Sequence, residues 1–249
     1  MMLVRDPIRT TARLEAALVD EAALVLCDLD GCLVSQNRPF KDAHAFADAC
    51  GDRLWIVSNN STQTAGELRC QLARIGLHID VGRILLAGEQ SLHYLSTVHP
   101  AARLALFGSE SLRQVAVSLG FRLSTKTPDV VYLCRDLAFS VERLNAMALM
   151  VIKGAELWVA NTDASHPGPD GEPLAETGAL LAALQAMVPE TPYRSVGKPH
   201  PFLVDTALRA AGVPAARAVF VGDNPQTDGA VAAATGIAFL HLNRNGAGR

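Results

Sequence analysis

The chain has 249 residues, 49% of them apolar, and a net charge of −3 with histidine neutral. This is enough for one large domain, or a core domain with a smaller insert, and it argues against disorder. The charge leaves no electrostatic footprint for a nucleic-acid polymer, no stretch reaches the roughly 18 consecutive apolar residues of a membrane span, and five cysteines without a Cys-x-x-Cys argue against zinc or a disulfide framework.

Residues 1–10 hold Arg5, Asp6 and Arg9 with no apolar signal core after them. The expected setting is the cytoplasm, with reduced thiols and no membrane partner. Residues 14–18 predict a short surface helix. Leu24–Cys27 is an apolar run that ends at Asp28, and residues 54–57 form a second that ends at Ser58. Short continuous apolar runs are what strands buried on both faces look like. Leu68, Leu72 and Ile75 lie at helical spacing, with Gly76 as a stop. Residues 84–87 predict a third strand.

The middle of the chain predicts strands at 104–107, 130–133 and 157–160, alternating with helices at 111–119 and 141–153. A polar Pro/Gly-rich loop occupies 163–173. Further helical faces run through Leu180, Leu184 and Met187, and through Leu203, Ala207 and Ala210, the latter stopped by Gly212. Residues 218–221 form a fourth core strand, ending at Gly222-Asp223, and 237–242 close the set. The alternation predicts an α/β fold with a Rossmann-like parallel sheet. The expected division is a core of 1–87 and 177–249 around an inserted α/β module, 88–176.

Three core strands end in polar clusters: Asp28-Leu29-Asp30-Gly31, Ser58-Asn59-Asn60-Ser61-Thr62, and Gly222-Asp223-Asn224 with Asp228 further on. The carboxyl ends of strands in an open parallel sheet form the crevice where ligands bind. Carboxylates gathered there repel one another unless a cation neutralises them. All-oxygen donors suit a hard ion such as Mg²⁺. Ser58 and the amides of Asn59 and Asn60 stand where a helix is expected to begin, and such an end attracts phosphate. Lys198, in Gly197-Lys198-Pro199, adds a fixed positive charge. A nucleophile, a cation, an anion hole and a lysine are the parts of a phosphoryl-transfer site. Singly, each has a plainer reading: a turn or cap for Asp28, Ser58 and Asp228, and a solvated surface lysine for Lys198.

Taken together and in order, these motifs resemble the haloacid dehalogenase superfamily. Val57-Ser58-Asn59-Asn60-Ser61, Gly197-Lys198-Pro199, Asp223-Asn224, Thr227-Asp228 and Ala160-Asn161-Thr162-Asp163 resemble its NagD-like, type IIA branch, whose inserted cap is of type C2. The resemblance implies a Mg²⁺-dependent phosphatase acting on a small phosphorylated metabolite: a sugar phosphate, a nucleotide, phosphoglycolate or pyridoxal phosphate. It implies Asp28 as nucleophile and metal ligand, and Asp30 as proton donor and base, lending its carbonyl to the metal. Ser58, Asn59 and Asn60 would hold phosphate, Lys198 would bridge Asp28 and phosphate, Asp223 would bind metal, and Asp228 with Asn224 would support the site. Asp163 and His166, in Asn161-x-Asp163-x-x-His166-Pro167, resemble a substrate-specificity loop, for which a polar turn is the plainer reading. The branch often dimerises through its cap, which implies a possible homodimer. Asp30 argues against a dehalogenase. A receiver-like phospho-aspartate protein and a catalytically silent scaffold are the remaining rivals.

Three departures stand out. The loop 35–41 lacks the glycines common in the branch, so Asn37 is expected to supply a left-handed turn. Leu133-Cys134-Arg135-Asp136 lacks a glycine before the aspartate, and Gly229 stands where an apolar residue is usual.

Overall fold

The computed structural model describes residues 8–168 and 172–244. Most of the segment read for a signal core, and the tip of the 163–173 loop, lie outside the described residues. The chain enters a first unit through β1 (Ile8–Thr11), β2 (Leu24–Cys27), α1 (Ala43–Cys50), β3 (Leu54–Ser58), α2 (Ala65–Arg74) and β4 (Ile84–Leu86). It passes into a second unit through α3 (Ala87–Val98), β5 (Arg103–Phe107), α4 (Glu110–Ser118), β6 (Arg122–Leu123), β7 (Val130–Leu133), α5 (Val141–Ile152), β8 (Glu156–Val159), α6 (Thr177–Met187) and β9 (Tyr193–Arg194). It then returns through α7 (Phe202–Ala211), β10 (Ala218–Gly222), α8 (Ala230–Thr235) and β11 (Ala238–Leu242).

The first unit is built on a six-stranded sheet ordered β1-β11-β10-β2-β3-β4. The β1–β11, β11–β10, β10–β2 and β2–β3 pairs are parallel. Every residue of β2, β3 and β10 is buried, because these central strands have neighbours in the sheet on both sides and side chains packed on both faces. Register brings the strand ends within two residues of one another: Val221 pairs with Cys27, and Cys27 with Ile56. The Asp28 amide continues the ladder by donating to the Val221 carbonyl at 2.9 Å.

One local expectation differs in this unit, and one strand was not expected. The 14–18 helix is only a 3₁₀ turn, Ala16–Leu18, whose Glu15 cap makes no side-chain bond. The edge strand β1 carries Arg9-Thr10-Thr11 and gives no apolar signal; it exists because β11 offers it a parallel partner.

The second unit has its own five-stranded sheet, β9-β8-β7-β5-β6, with every neighbouring pair parallel. Ser109 and Ser140 start α4 and α5 by accepting from the amides of Leu112 and Arg143. This unit comprises Asn59–Thr64 and Leu86–Gly197, so it begins earlier and ends later than the 88–176 span read from sequence. The later end follows from packing: Leu181 and Leu184 of α6 share a core with Met147, Ala148 and Leu157, and β9 pairs with β8. The 59–64 segment joins because Ser61 Oγ bonds Thr177 Oγ1 at 3.0 Å and accepts from the Arg135 amide at 3.0 Å. Among the described residues, no helix is long and apolar enough to cross a membrane.

Candidate active site

Asp28 directly follows β2, Ser58 ends β3, and Asp223 directly follows β10. The parallel register therefore gathers them at one sheet edge. Lys198 reaches the same point with only 2% of its surface exposed. Its Nζ lies 2.8 Å from Asp28 Oδ1 and 2.7 Å from Asp228 Oδ1, and 5.4 Å from the centre of the Phe220 ring. Burial pulls its pKa down, but the Asp228 and Asp28 carboxylates outweigh that and hold it above the ordinary lysine value. Lys198 is thus a permanent cation, not the solvated surface lysine of the plainer reading.

Asp228 is fully buried. It lies within the helical turn Pro225–Gly229, where its Oδ2 accepts from the Asn224 amide at 3.2 Å. The cap of that turn is Asn224, whose Oδ1 accepts from the Gln226 amide at 2.9 Å. Burial raises the Asp228 carboxyl to about 6, with Lys198 opposing and Asp28 reinforcing the shift. Desolvation raises Asp223 to about 7, helped by the charges of Asp28 and Asp228.

Carboxylate oxygens from Asp28, Asp223 and Asp228 lie within 4.8 Å of one another. Such crowding favours proton or cation uptake, and three oxygen donors fit a hard divalent ion. Asp30 is exposed and its carboxylate is not one of the three. It sits in the turn after β2, where Gly31 has φ +79° and a Cβ at Gly31 would come within 2.1 Å of Asp223 Oδ2. A Cβ at Gly222 would similarly meet Asp228 Oδ2 at 2.3 Å. Both positions need glycine because a carboxylate occupies the space of a side chain. The left-handed turn expected at Asn37 is present, with φ 63° there and 50° at Gln36, and it closes the hairpin of Val34–Ser35 with Arg38–Pro39. At Gly229 a Cβ would sit 3.1 Å from the Phe239 ring, a tight contact.

The helix expected at 58–60 begins instead at Ala65. Asn60 is the reason: its Oδ1 accepts from the amides of Thr62 and Gln63, a local turn that competes with helix. The helix start expected at Ser58 is therefore not present there. The Asn59 carboxamide donates to Asp163 Oδ2 at 3.0 Å, and the Asn59 main-chain carbonyl accepts from Asn161 Nδ2 at 2.7 Å.

Two family models match parts of the chain. A family described as haloacid dehalogenase-like hydrolase matches residues 25–122, and one described as HAD-hydrolase-like matches 195–246. The chain is 27% identical to a dihydroxyacetone phosphatase of Corynebacterium glutamicum over 82% of its own length and 74% of that protein. It is 29% identical to a D-glycerol 3-phosphate phosphatase of Mycobacterium tuberculosis over 90% of its own length, but spans only 64% of that relative. A solved structure of a putative NagD protein superposes with a TM-score of 0.84 at 25% identity, covering 90% of both chains. A glycerol phosphate phosphatase of M. tuberculosis solved with magnesium superposes at 0.82, with 27% identity over 90% of this chain and 68% of that one. The same enzyme solved with calcium superposes at 0.83.

The chain belongs to the NagD-like branch of the haloacid dehalogenase superfamily.

As a haloacid dehalogenase-like phosphatase, it combines the parallel-sheet core with an inserted α/β unit. Within the inserted unit of this NagD-like phosphatase, His166 lies in the hairpin of Ser165–Pro167 with Pro173–Ala175. Its Nδ1 is 2.7 Å from Glu176 Oε1, and Arg135 Nε is 3.4 Å from the same oxygen. Burial raises the Glu176 carboxyl, against the pull of Arg135 and His166. Asp163 is engaged with Asn59 and Asn161. Sequence reasoning had not singled out Glu176. A lone glutamate before a helix carries no spacing signal, and only the hairpin brings it to His166.

Proposed function

We propose that this phosphatase hydrolyses a small phosphate monoester through a phosphorylated Asp28, with Mg²⁺ as its divalent ion. The carrying observation is the buried Lys198 ammonium bonded at once to Asp28 and Asp228, beside the Asp223 carboxylate. A fixed cation at the nucleophile aims Asp28 and adds charge where phosphoryl oxygens would bind. The metal would be held by the carboxylates of Asp28 and Asp223 and by the Asp30 carbonyl. When bound, it would offset negative charge on the phosphoryl group.

In the first step, an Asp28 carboxylate oxygen bonds to phosphorus as the bond to the leaving oxygen breaks, and Asp30 gives that oxygen its proton. In the second, Asp30 takes a proton from water as the water oxygen bonds to phosphorus. The Asp28–phosphorus bond then breaks, releasing phosphate and restoring both carboxyl groups. Ser58 and the amides of Asn59 and Asn60 would hold phosphoryl oxygens, and Asp228 keeps Lys198 charged and aimed. The names of two relatives, dihydroxyacetone phosphatase and D-glycerol 3-phosphate phosphatase, favour a three-carbon phosphate as the first substrate to try.

The test is phosphate release from a panel: dihydroxyacetone phosphate, glycerol 3-phosphate, phosphoglycolate, pyridoxal phosphate and a nucleotide monophosphate. Each is assayed with and without Mg²⁺, beside Asp28→Asn. Release that needs Mg²⁺ and disappears in the variant is expected. A folded, Mg²⁺-bound protein that releases phosphate from none of them would overturn the reading.

A further inference from the structure

The turn that carries Asp30 is held by a residue more than two hundred positions away in sequence. Arg244, beyond the end of β11, places its guanidinium against the backbone of that turn. Nε donates to the Gly31 carbonyl at 3.1 Å, and Nη2 donates to the Cys32 carbonyl at 2.6 Å. The same group forms a two-pronged ion pair with Asp42, at 3.1 and 3.0 Å. Its Cζ also lies over the Phe40 ring, 3.8 Å from the centroid. Asp42 is anchored in turn by the Leu14 amide, which donates to its Oδ2 at 2.8 Å. The arginine and Asp42 side chains are each only 19% exposed.

This is more than a surface ion pair. A planar guanidinium can serve two carbonyls and one carboxylate simultaneously, which an ammonium cannot do in that geometry. The bonded carbonyls belong to the two residues immediately after Asp30. The first of them, Gly31, abuts the Asp223 carboxylate so closely that even a Cβ would collide with it. Movement of this turn therefore moves the Asp30 backbone and alters the room around Asp223.

The geometry points to Arg244 as a positioning residue of the phosphatase, one that clamps the Gly31–Cys32 backbone and through it sets Asp30 and Asp223. This rests on the proposed roles of those two aspartates. Arg244 acts on the backbone of the turn, through the Gly31 and Cys32 carbonyls. Phe40 and Asp42 orient the clamp, so the segment between the Val34–Ser35 hairpin and α1 acts as its seat.

The test uses the full chain, wild type beside Arg244→Ala and Arg244→Lys, with folding checked by near-ultraviolet circular dichroism. A misplaced turn predicts a loss of about tenfold to a hundredfold in kcat, with KM moving by no more than about twofold. Millimolar guanidinium should restore kcat in Arg244→Ala. Mg²⁺ titrated calorimetrically should bind both variants more weakly than wild type. A folded variant with wild-type kcat, a loss confined to KM, or a folded Arg244→Ala that guanidinium does not restore would overturn the assignment. If Arg244→Ala does not fold, Arg244→Lys decides by the same kcat and Mg²⁺ criteria. If wild type itself releases no phosphate, the function reading fails separately. The calorimetry then still judges the clamp, because unchanged Mg²⁺ binding in folded variants would overturn it.

Discussion

Lys198 illustrates how much one side chain is asked to do. It is buried between two carboxylates, one of them fully buried. Removing one partner of a buried ion pair leaves an uncompensated charge, which costs about 3–5 kcal/mol. Lys198→Met is therefore expected to destabilise the fold by that order at pH 8. The penalty should shrink toward pH 5, where Asp228, already raised to about 6, takes up a proton. Urea unfolding at the two pH values checks this, and an equal penalty at both would contradict it. Activity in the variant should fall at least about a hundredfold, as expected for losing a fixed charge at the reacting group. The lysine was recognisable in sequence only through its Gly-Lys-Pro setting, since nothing local distinguishes a buried lysine from an exposed one.

The elements matter through where they end. β2, β3 and β10 stop within two residues of one another because their parallel registers are fixed by buried apolar runs. The turns after them are then shaped by side chains that replace Cβ atoms. Gly31→Ala would force a Cβ to within 2.1 Å of Asp223 Oδ2 at a φ of +79°. It should weaken Mg²⁺ binding measured by calorimetry, whereas Gly120→Ala, also at positive φ but with nothing within 4 Å of its Cβ, should leave binding unchanged. Comparable weakening by both would contradict the steric argument. Segment 59–64 makes a parallel case for the second unit. Ser61→Ala would strip the Arg135 amide of its acceptor and Thr177 Oγ1 of one buried partner. A buried group left unsatisfied costs about 1–3 kcal/mol. Denaturant unfolding should show a loss of that size, and no loss would place water at the site instead.

For the whole molecule, the acidic cluster couples stability to pH and metal. Asp223 and Asp228 have folded pKa values raised to about 7 and about 6. Between the ordinary carboxylate range and those values, the metal-free folded state binds more protons than the unfolded state. Stability in metal-free buffer should therefore fall as pH rises from about 4 to 7. A divalent ion competes with those protons, so its stabilising effect should grow over the same interval and be largest above pH 7. Thermal unfolding with Mg²⁺ and with chelator across pH 5–8 measures the difference. A metal-induced shift in midpoint that does not increase with pH would contradict the linkage.

The apolar runs at 24–27, 54–57 and 218–221 sufficed to announce buried parallel strands, because strands covered on both faces cannot carry polar residues. The polar residues that follow them, and the order of the motifs along the chain, sufficed to name the chemistry class. Interactions between distant segments were not legible. β1 was invisible because pairing to β11, not its own composition, makes it a strand. The helix start expected at 58–60 moved to Ala65 because the Asn60 side chain took the amides that a helix would have used. The second unit reached Gly197 because α6 and β9 found partners in its core and sheet. Arg244 had no local signal at all; its function as a clamp depends on two carbonyls and a carboxylate that only the folded chain brings within reach. Sequence by itself determined the repeating α/β pattern and the polar clusters at its strand ends, since burial and periodicity act locally. Tertiary structure alone decided which charges meet and which glycines make room for them, because those depend on contacts between residues far apart in the chain.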